Sequence, residues 1–182
     1  MHQNILINTP LLKEYSPIPL NYNTSEIMNY VKLAEITWVR PIIGEYLYDE
    51  LLYQVKNNNL TPENGTLLAE ALYPYLGFCV AYESLASIAY KISEVGIVKS
   101  DSDNSKSVDT KEYNILEQNF RRQIEVRKEY LIEYLCSHCQ SFPLFDPSVC
   151  GCGCPCNNDK APVKPNPLWN IYSTPKKDVD LR

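Results

Sequence analysis

Histidine is nearly absent from this chain: His2 and His138 are the only two in 182 residues. A Ser-His-Asp arrangement would therefore have to draw on the extreme N-terminus or on a position flanked by cysteines. Glycine is almost as scarce, at six residues. None of these glycines builds a phosphate-cradling loop or the strained elbow of a nucleophilic serine. The net charge is −5, so the basic excess of a nucleic-acid binder is missing. Long apolar runs are missing too. The most apolar stretch, residues 67–92, contains Glu70, Pro74, Glu83 and Lys91, which predicts a buried helix and no membrane span. No basic segment followed by an apolar core opens the chain, so no signal peptide is expected. Carboxylates are plentiful, but their spacing places them on helix exteriors, with no pair isolated on an apolar face. These absences argue against an enzyme.

What is present suits one soluble domain with chain to spare: 45% apolar and 21% charged residues are ordinary values for a globular core. Residues 1–22 read as an arm, in which NILI is a candidate short strand and Thr9-Pro10 starts a single helical turn. Asn23 and Glu26 form a capping box, after which Ile27, Val31, Ala34 and Trp38 fall on one helical face. Pro41 ends or kinks that helix. A second helix carries Ile43, Leu47, Leu51 and Val55 and stops at Asn57-Asn58-Asn59. Thr61-Pro62 restarts the chain, with threonine as cap and proline at the first helical position.

The third helix, through residues 67–92, is apolar on nearly all sides and is expected to be the central element. Pro74 kinks it, and Gly77 beside the kink allows close approach of another helix. Residues 96–108 read as a polar loop. A fourth helix starts at the Asp109–Glu112 capping box and runs to about Cys139, with Tyr113, Leu116, Phe120, Ile124, Leu131 and Leu135 on one stripe. Its arginines and lysines alternate with carboxylates at helical spacing, which favours solvated ion pairs over nucleic-acid contacts. Trp38, Leu47, Leu72, Leu76, Val80, Phe120 and Leu131 are the expected core. From residue 141 onward seven of 42 residues are proline, so this part is expected to be extended. The organisation is thus an arm (1–22), an all-α, four-helix-bundle-like domain (23–140) and a Cys-rich, Pro-rich tail (141–182).

Six of the seven cysteines fall between residues 136 and 156. Cys136-x-x-Cys139 at the end of a helix, followed by Cys150-x-Cys152, offers four thiolates for a tetrahedral metal, zinc first. His138, Cys154 and Cys156 are further candidate ligands. Disulfides and free thiols are the alternatives, because one residue between ligands departs from the usual zinc-knuckle spacing. All but one of the 14 tyrosines precede residue 135. Tyrosine joins an apolar body to a polar tip and suits wet subunit contacts, or else reflects host composition. In the tail, Leu168, Trp169, Ile171 and Tyr172 form one apolar cluster. It is a candidate partner-binding anchor on a neighbouring subunit or another protein, because aromatic anchors dominate interface energy.

Two stretches carry a resemblance: VRPIIGEYLYDELL (residues 39–52), and TPEN followed by LLAEALYPYLGFCVAYESL (residues 61–64 and 67–85). With the Pro-containing arm before them and the charged helix after, they resemble the α-helical head–tail connector (adaptor, or neck-ring) proteins of tailed bacteriophages, crAss-like phages of Bacteroides-type hosts among them. The resemblance covers about residues 5–145 and implies a structural virion protein with no catalytic role. It implies a homo-oligomeric ring, usually dodecameric, docked on the portal protein and on other neck or tail proteins. Such a ring extends the DNA channel, with passing contact to DNA, in the virion neck and in the host cytoplasm during assembly. The cysteine cluster lies outside that pattern. The alternative reading is a metal-binding adaptor or regulatory module on a helical scaffold.

Overall fold

Proline has no N–H to donate, and inside a helix its ring collides with the carbonyl four residues back. This chain places prolines at 41 and 74 within helical segments and accommodates both in the same way. The computed structural model describes residues 4–18, 24–93, 96–99 and 110–146. In it, helix α2 (Thr24–Ala34) passes through a π-turn, Glu35–Val39, into α3 (Arg40–Ile43). Helix α5 (Pro62–Leu67) likewise passes through a π-turn, Leu68–Leu72, into α6 (Tyr73–Ala89). Each π-turn ends two residues before its proline. The Arg40 N–H donates to the Glu35 carbonyl and the Tyr73 N–H to the Leu68 carbonyl, both five residues back. The wider turn makes room for the ring, so the helix continues.

The remaining boundaries follow local chemistry. Helix α3 stops at Gly44, whose φ of +81° suits glycine. Helix α4 (Glu45–Asn57) follows and ends at Asn58, a left-handed cap with φ +51°. Thr61 caps α5 by accepting from the Asn64 N–H at 3.2 Å, with Pro62 at the first helical position. Gln54, buried on α4, accepts from the Thr61 N–H and the Asn64 side chain, which fixes the turn between the two helices. Helix α7 spans Thr110–Ser137. The caps expected from Asn23 with Glu26 and from Asp109 with Glu112 fall outside the described residues or side chains.

The architecture is all-α with one small hairpin. Strand β1 (Tyr90–Ser93) pairs antiparallel with β2 (Gly96–Lys99), with Tyr90 opposite Lys99. The third helix therefore ends at Ala89, and the polar stretch after it opens as a strand. Helix α6 is central, contacting α2, α7 and α1 (Thr9–Tyr15). Tyr75, Leu76, Cys79 and Val80 of this helix are buried, as is Leu72 at the end of the π-turn before it. Of the expected core, Leu47, Leu72, Leu76, Val80 and Leu131 are buried, and Trp38 and Phe120 pack half-buried at its margin.

The N-terminal segment is more than an arm. Asn8 caps α1 by accepting from the Leu11 N–H, and the helix makes two turns. Leu6, Ile7, Leu12 and Ile18 are all buried in the common core. The end of α1 lies directly on α6 at Gly77: a Cβ placed there would stand 2.5 Å from the Tyr15 carbonyl oxygen and 3.1 Å from the Ser16 nitrogen. The clash is with backbone, which cannot rotate away. Gly77→Ala should therefore cost about 1–3 kcal/mol of overpacking, read as a lower urea midpoint. A midpoint equal to wild type would show that α1 does not seat on α6 in solution.

Candidate functional site

Among the described residues the carboxylate of Glu35, in the first π-turn, is fully buried. Its Oε1 accepts from the Leu6 backbone N–H at 2.5 Å. Its Oε2 accepts from the Tyr48 hydroxyl at 2.8 Å and lies 3.5 Å from Lys32 Nζ. Lys32 Nζ also donates to the Tyr48 oxygen at 2.6 Å and to the Asn4 carbonyl at 3.3 Å. One carboxylate thus ties together α2, α4 and the backbone of the N-terminal segment. The expectation that carboxylates lie on helix exteriors fails here. Glu35 follows Val31 by four residues, which sets it on the apolar stripe, and burial raises its pKa above the usual carboxylate range against the opposing pull of Leu6, Tyr48 and Lys32. Every partner is a donor held by packed structure, so the group acts as a latch.

The sign of its pH dependence follows from that shift. A carboxyl whose native pKa is raised takes up a proton on folding. Its stabilising contribution is present below the ordinary value of 4.5 and is lost as pH rises through the native value. Comparison with Glu35→Gln isolates this group from the other carboxylates. Wild type should gain stability relative to the Gln variant as pH falls from neutral toward 4.5. Urea titrations across that range check it, and a gain by the Gln variant would mean that the three donors outweigh burial.

Beside the π-turn, the Trp38 indole donates to Glu83 Oε1 at 2.7 Å, and the Tyr75 hydroxyl donates to the Trp38 carbonyl at 3.2 Å. Cys79 is a free, buried thiol whose pKa is pushed up by burial. Basic residues of α7 engage neighbours on their own domain while staying at the surface. Arg121 pairs with Glu117 at 3.1 Å, Lys128 pairs with Glu125 at 2.9 Å, and Arg127 lies 3.8 Å over the Phe78 ring. Ion pairs along α7 are thus as the residue spacing suggests.

The cysteine-bearing end of α7 has a different character. Cys136 and Cys139 are both disulfide-bonded. In this state neither is a free thiolate, and a zinc site built on them would require the reduced chain. His138 between them is exposed, with its ring stacked on Tyr134 at 4.5 Å and Nδ1 2.9 Å from the Tyr134 carbonyl. Among the described residues no group of three His, Cys, Asp or Glu side chains is placed to hold a metal. Cys150, Cys152, Cys154 and Cys156, and the apolar cluster Leu168, Trp169, Ile171 and Tyr172, lie outside the described residues. After the helix the chain folds back, burying Phe142 and Phe145. A cleft of about 250 Å³ opens there, lined by Pro62, Glu63, Thr66, Tyr134, His138, Ser141 and Phe142.

Among the described residues, several large apolar side chains are exposed. On α7, Ile115, Val126 and Tyr130 are 57%, 56% and 49% exposed. They align at intervals of 11 and four residues, opposite the stripe that buries Ile124, Leu131 and Leu135. Leu33 and Ile36 are exposed together on the first long helix, and Tyr46 and Tyr53 on α4. The stripe was readable from sequence, but this second apolar line on α7 was masked by the charges interleaved with it.

These features define an all-helical domain with a buried carboxylate latch and several exposed apolar side chains. The chain belongs to DUF6712, a family of unknown function whose model matches residues 39–155. The match begins at Val39, the first residue of the VRPIIGEYLYDELL stretch. No curated protein and no solved structure matches the chain. Among the described residues no helix is long and apolar enough to cross a membrane.

Proposed function

We propose that this protein is a structural component of a tailed-bacteriophage virion: a head–tail connector whose copies close into a ring, dodecameric by the resemblance, on the portal protein. The ring extends the DNA channel and presents a surface to other neck or tail proteins, in the virion neck after assembly in the host cytoplasm. The observation that carries this reading is the outward face of α7. A long helix that buries one side in its own core exposes Ile115, Val126 and Tyr130 on the other, and large apolar side chains aligned on an outer helix face suit a protein–protein contact. Exposed Tyr46 and Tyr53 on α4 supply a second, tyrosine-lined face of the sort enriched at interfaces. A ring needs two such faces per copy, because each subunit meets one neighbour on either side through different surfaces. The resemblance supports the reading from another direction, and one of the two stretches that carry it covers the end of the first π-turn, the Gly44 break and the start of α4.

No catalytic role is proposed. Among the described residues the buried polar side chains have hydrogen-bond partners, and the carboxylate of Glu35 is closed over by the N-terminal segment.

Light scattering on the full chain, alone and with a portal ring, tests the proposal. Wild type should form a species of many times 20.9 kDa. Val126→Asp should block it while changing the monomer's stability by less than about 0.5 kcal/mol, because the side chain is outside the core. A wild type that remains monomeric under both conditions would overturn the connector reading, as would a Val126→Asp variant that assembles normally.

A further inference from the structure

The cleft at the end of α7 has a composition that selects its occupant. Its walls are aromatic and proline-bearing. Tyr134 stacks with His138 and lies 6.3 Å from the Phe142 ring and 6.5 Å from Tyr130, and Pro62 faces them. Its charge is acidic: Glu63 lines it, Glu70 is close enough to act electrostatically on Tyr134, and neither lysine nor arginine contributes to the lining. At about 250 Å³ it is smaller than the roughly 300–1,000 Å³ of small-molecule pockets. It is shaped to grip one or two side chains of an extended strand. Aromatic-lined grooves of this kind take proline-rich segments, which lose little entropy because their backbone is already extended.

The chain itself contains such a segment. Residues 160–172 read KAPVKPNPLWNIY, with three prolines, two lysines, one tryptophan and no acid. The described chain ends at Asp146, four residues beyond Phe142 in the cleft wall. We propose that residues 160–172 of one copy dock in this cleft on the neighbouring copy. The prolines pack against the outer surface of the aromatic rings, and Lys160 and Lys164 face Glu63 and Glu70. The length of the tail lets it reach a neighbour. Sixteen residues separate Asp146 from Pro162, which at ~3.1 Å per residue in extended polyproline conformation is about 50 Å. Helix α7, the longest in the domain at 28 residues, spans about 42 Å. The proposal rests on the ring reading above and names one of its contacts.

Cross-linking of the full chain tests it. Ile171→p-benzoylphenylalanine is prepared in ordinary and heavy-isotope forms, the two are mixed before assembly and irradiated, and the cross-linked peptides are identified by mass. The expected products join heavy to light chains at residues 61–67 or 130–145. Introducing Glu63→Lys, at an exposed position, should lower their yield at least threefold. Cross-links within one chain only, cross-links elsewhere, none at all, or a yield indifferent to Glu63→Lys would each overturn the docking proposal. Light scattering on the same samples separates the two levels. Rings without these cross-links overturn the tail contact alone, and absence of rings overturns both.

Discussion

One buried carboxylate fixes what counts as the domain. Glu35 accepts from the Leu6 backbone and from Tyr48, with Lys32 completing the set. Removing it would leave the Leu6 N–H and the Tyr48 hydroxyl without their partner, at about 1–3 kcal/mol for each buried group left unsatisfied. The apolar consequences are larger, because Leu6, Ile7, Leu12 and Ile18 enter the core only when the N-terminal segment lies down. The segment then meets α6 at Gly77, where the absence of a side chain lets Tyr15 approach. The latch and the glycine act at two ends of one segment, so a sequence that looks like a free arm becomes a fifth packing element.

Much of this was legible in the residues, and the parts that were not have identifiable causes. The Thr61-Pro62 restart, the all-round apolar character of α6 and the Ile124, Leu131 and Leu135 stripe of α7 are local signals, and the structure follows them. Pro41 and Pro74 announce a disturbance without specifying its form. Proline removes one hydrogen bond, and whether the helix stops, kinks or widens depends on the packing around it. Here α6 is clamped between α2 and α7, which favours widening over breaking. The hairpin at Tyr90 is hidden in the sequence because a strand declares itself by its partner, and Gly96–Lys99 opens a polar stretch without periodicity. Glu35 was visible in principle as a carboxylate on the Val31 stripe, but Lys32 three residues earlier invites the solvated ion-pair reading that holds elsewhere on this chain.

The same separation of inside from outside frames the functional reading. With the N-terminal segment committed to its own core, the surfaces left for other molecules are helical faces, chiefly the outer line of α7 and the tyrosines of α4, together with the cleft where α7 ends. These surfaces differ in chemistry. The helical faces are broad and apolar, suited to rigid contact between copies. The cleft is narrow, aromatic and acidic, suited to an extended basic segment. The disulfide-bonded Cys136 and Cys139 flank in sequence His138, which lies in the wall of that cleft.

The most direct test of this arrangement is native-state hydrogen exchange at the Leu6 amide, followed at low and high protein concentration. An N-terminal segment latched by Glu35 within its own chain predicts strong protection at both concentrations, lost in Glu35→Ala. A Leu6 amide that exchanges freely in the dilute protein, and is protected only as copies associate, would show that the segment belongs to the assembly and not to the domain.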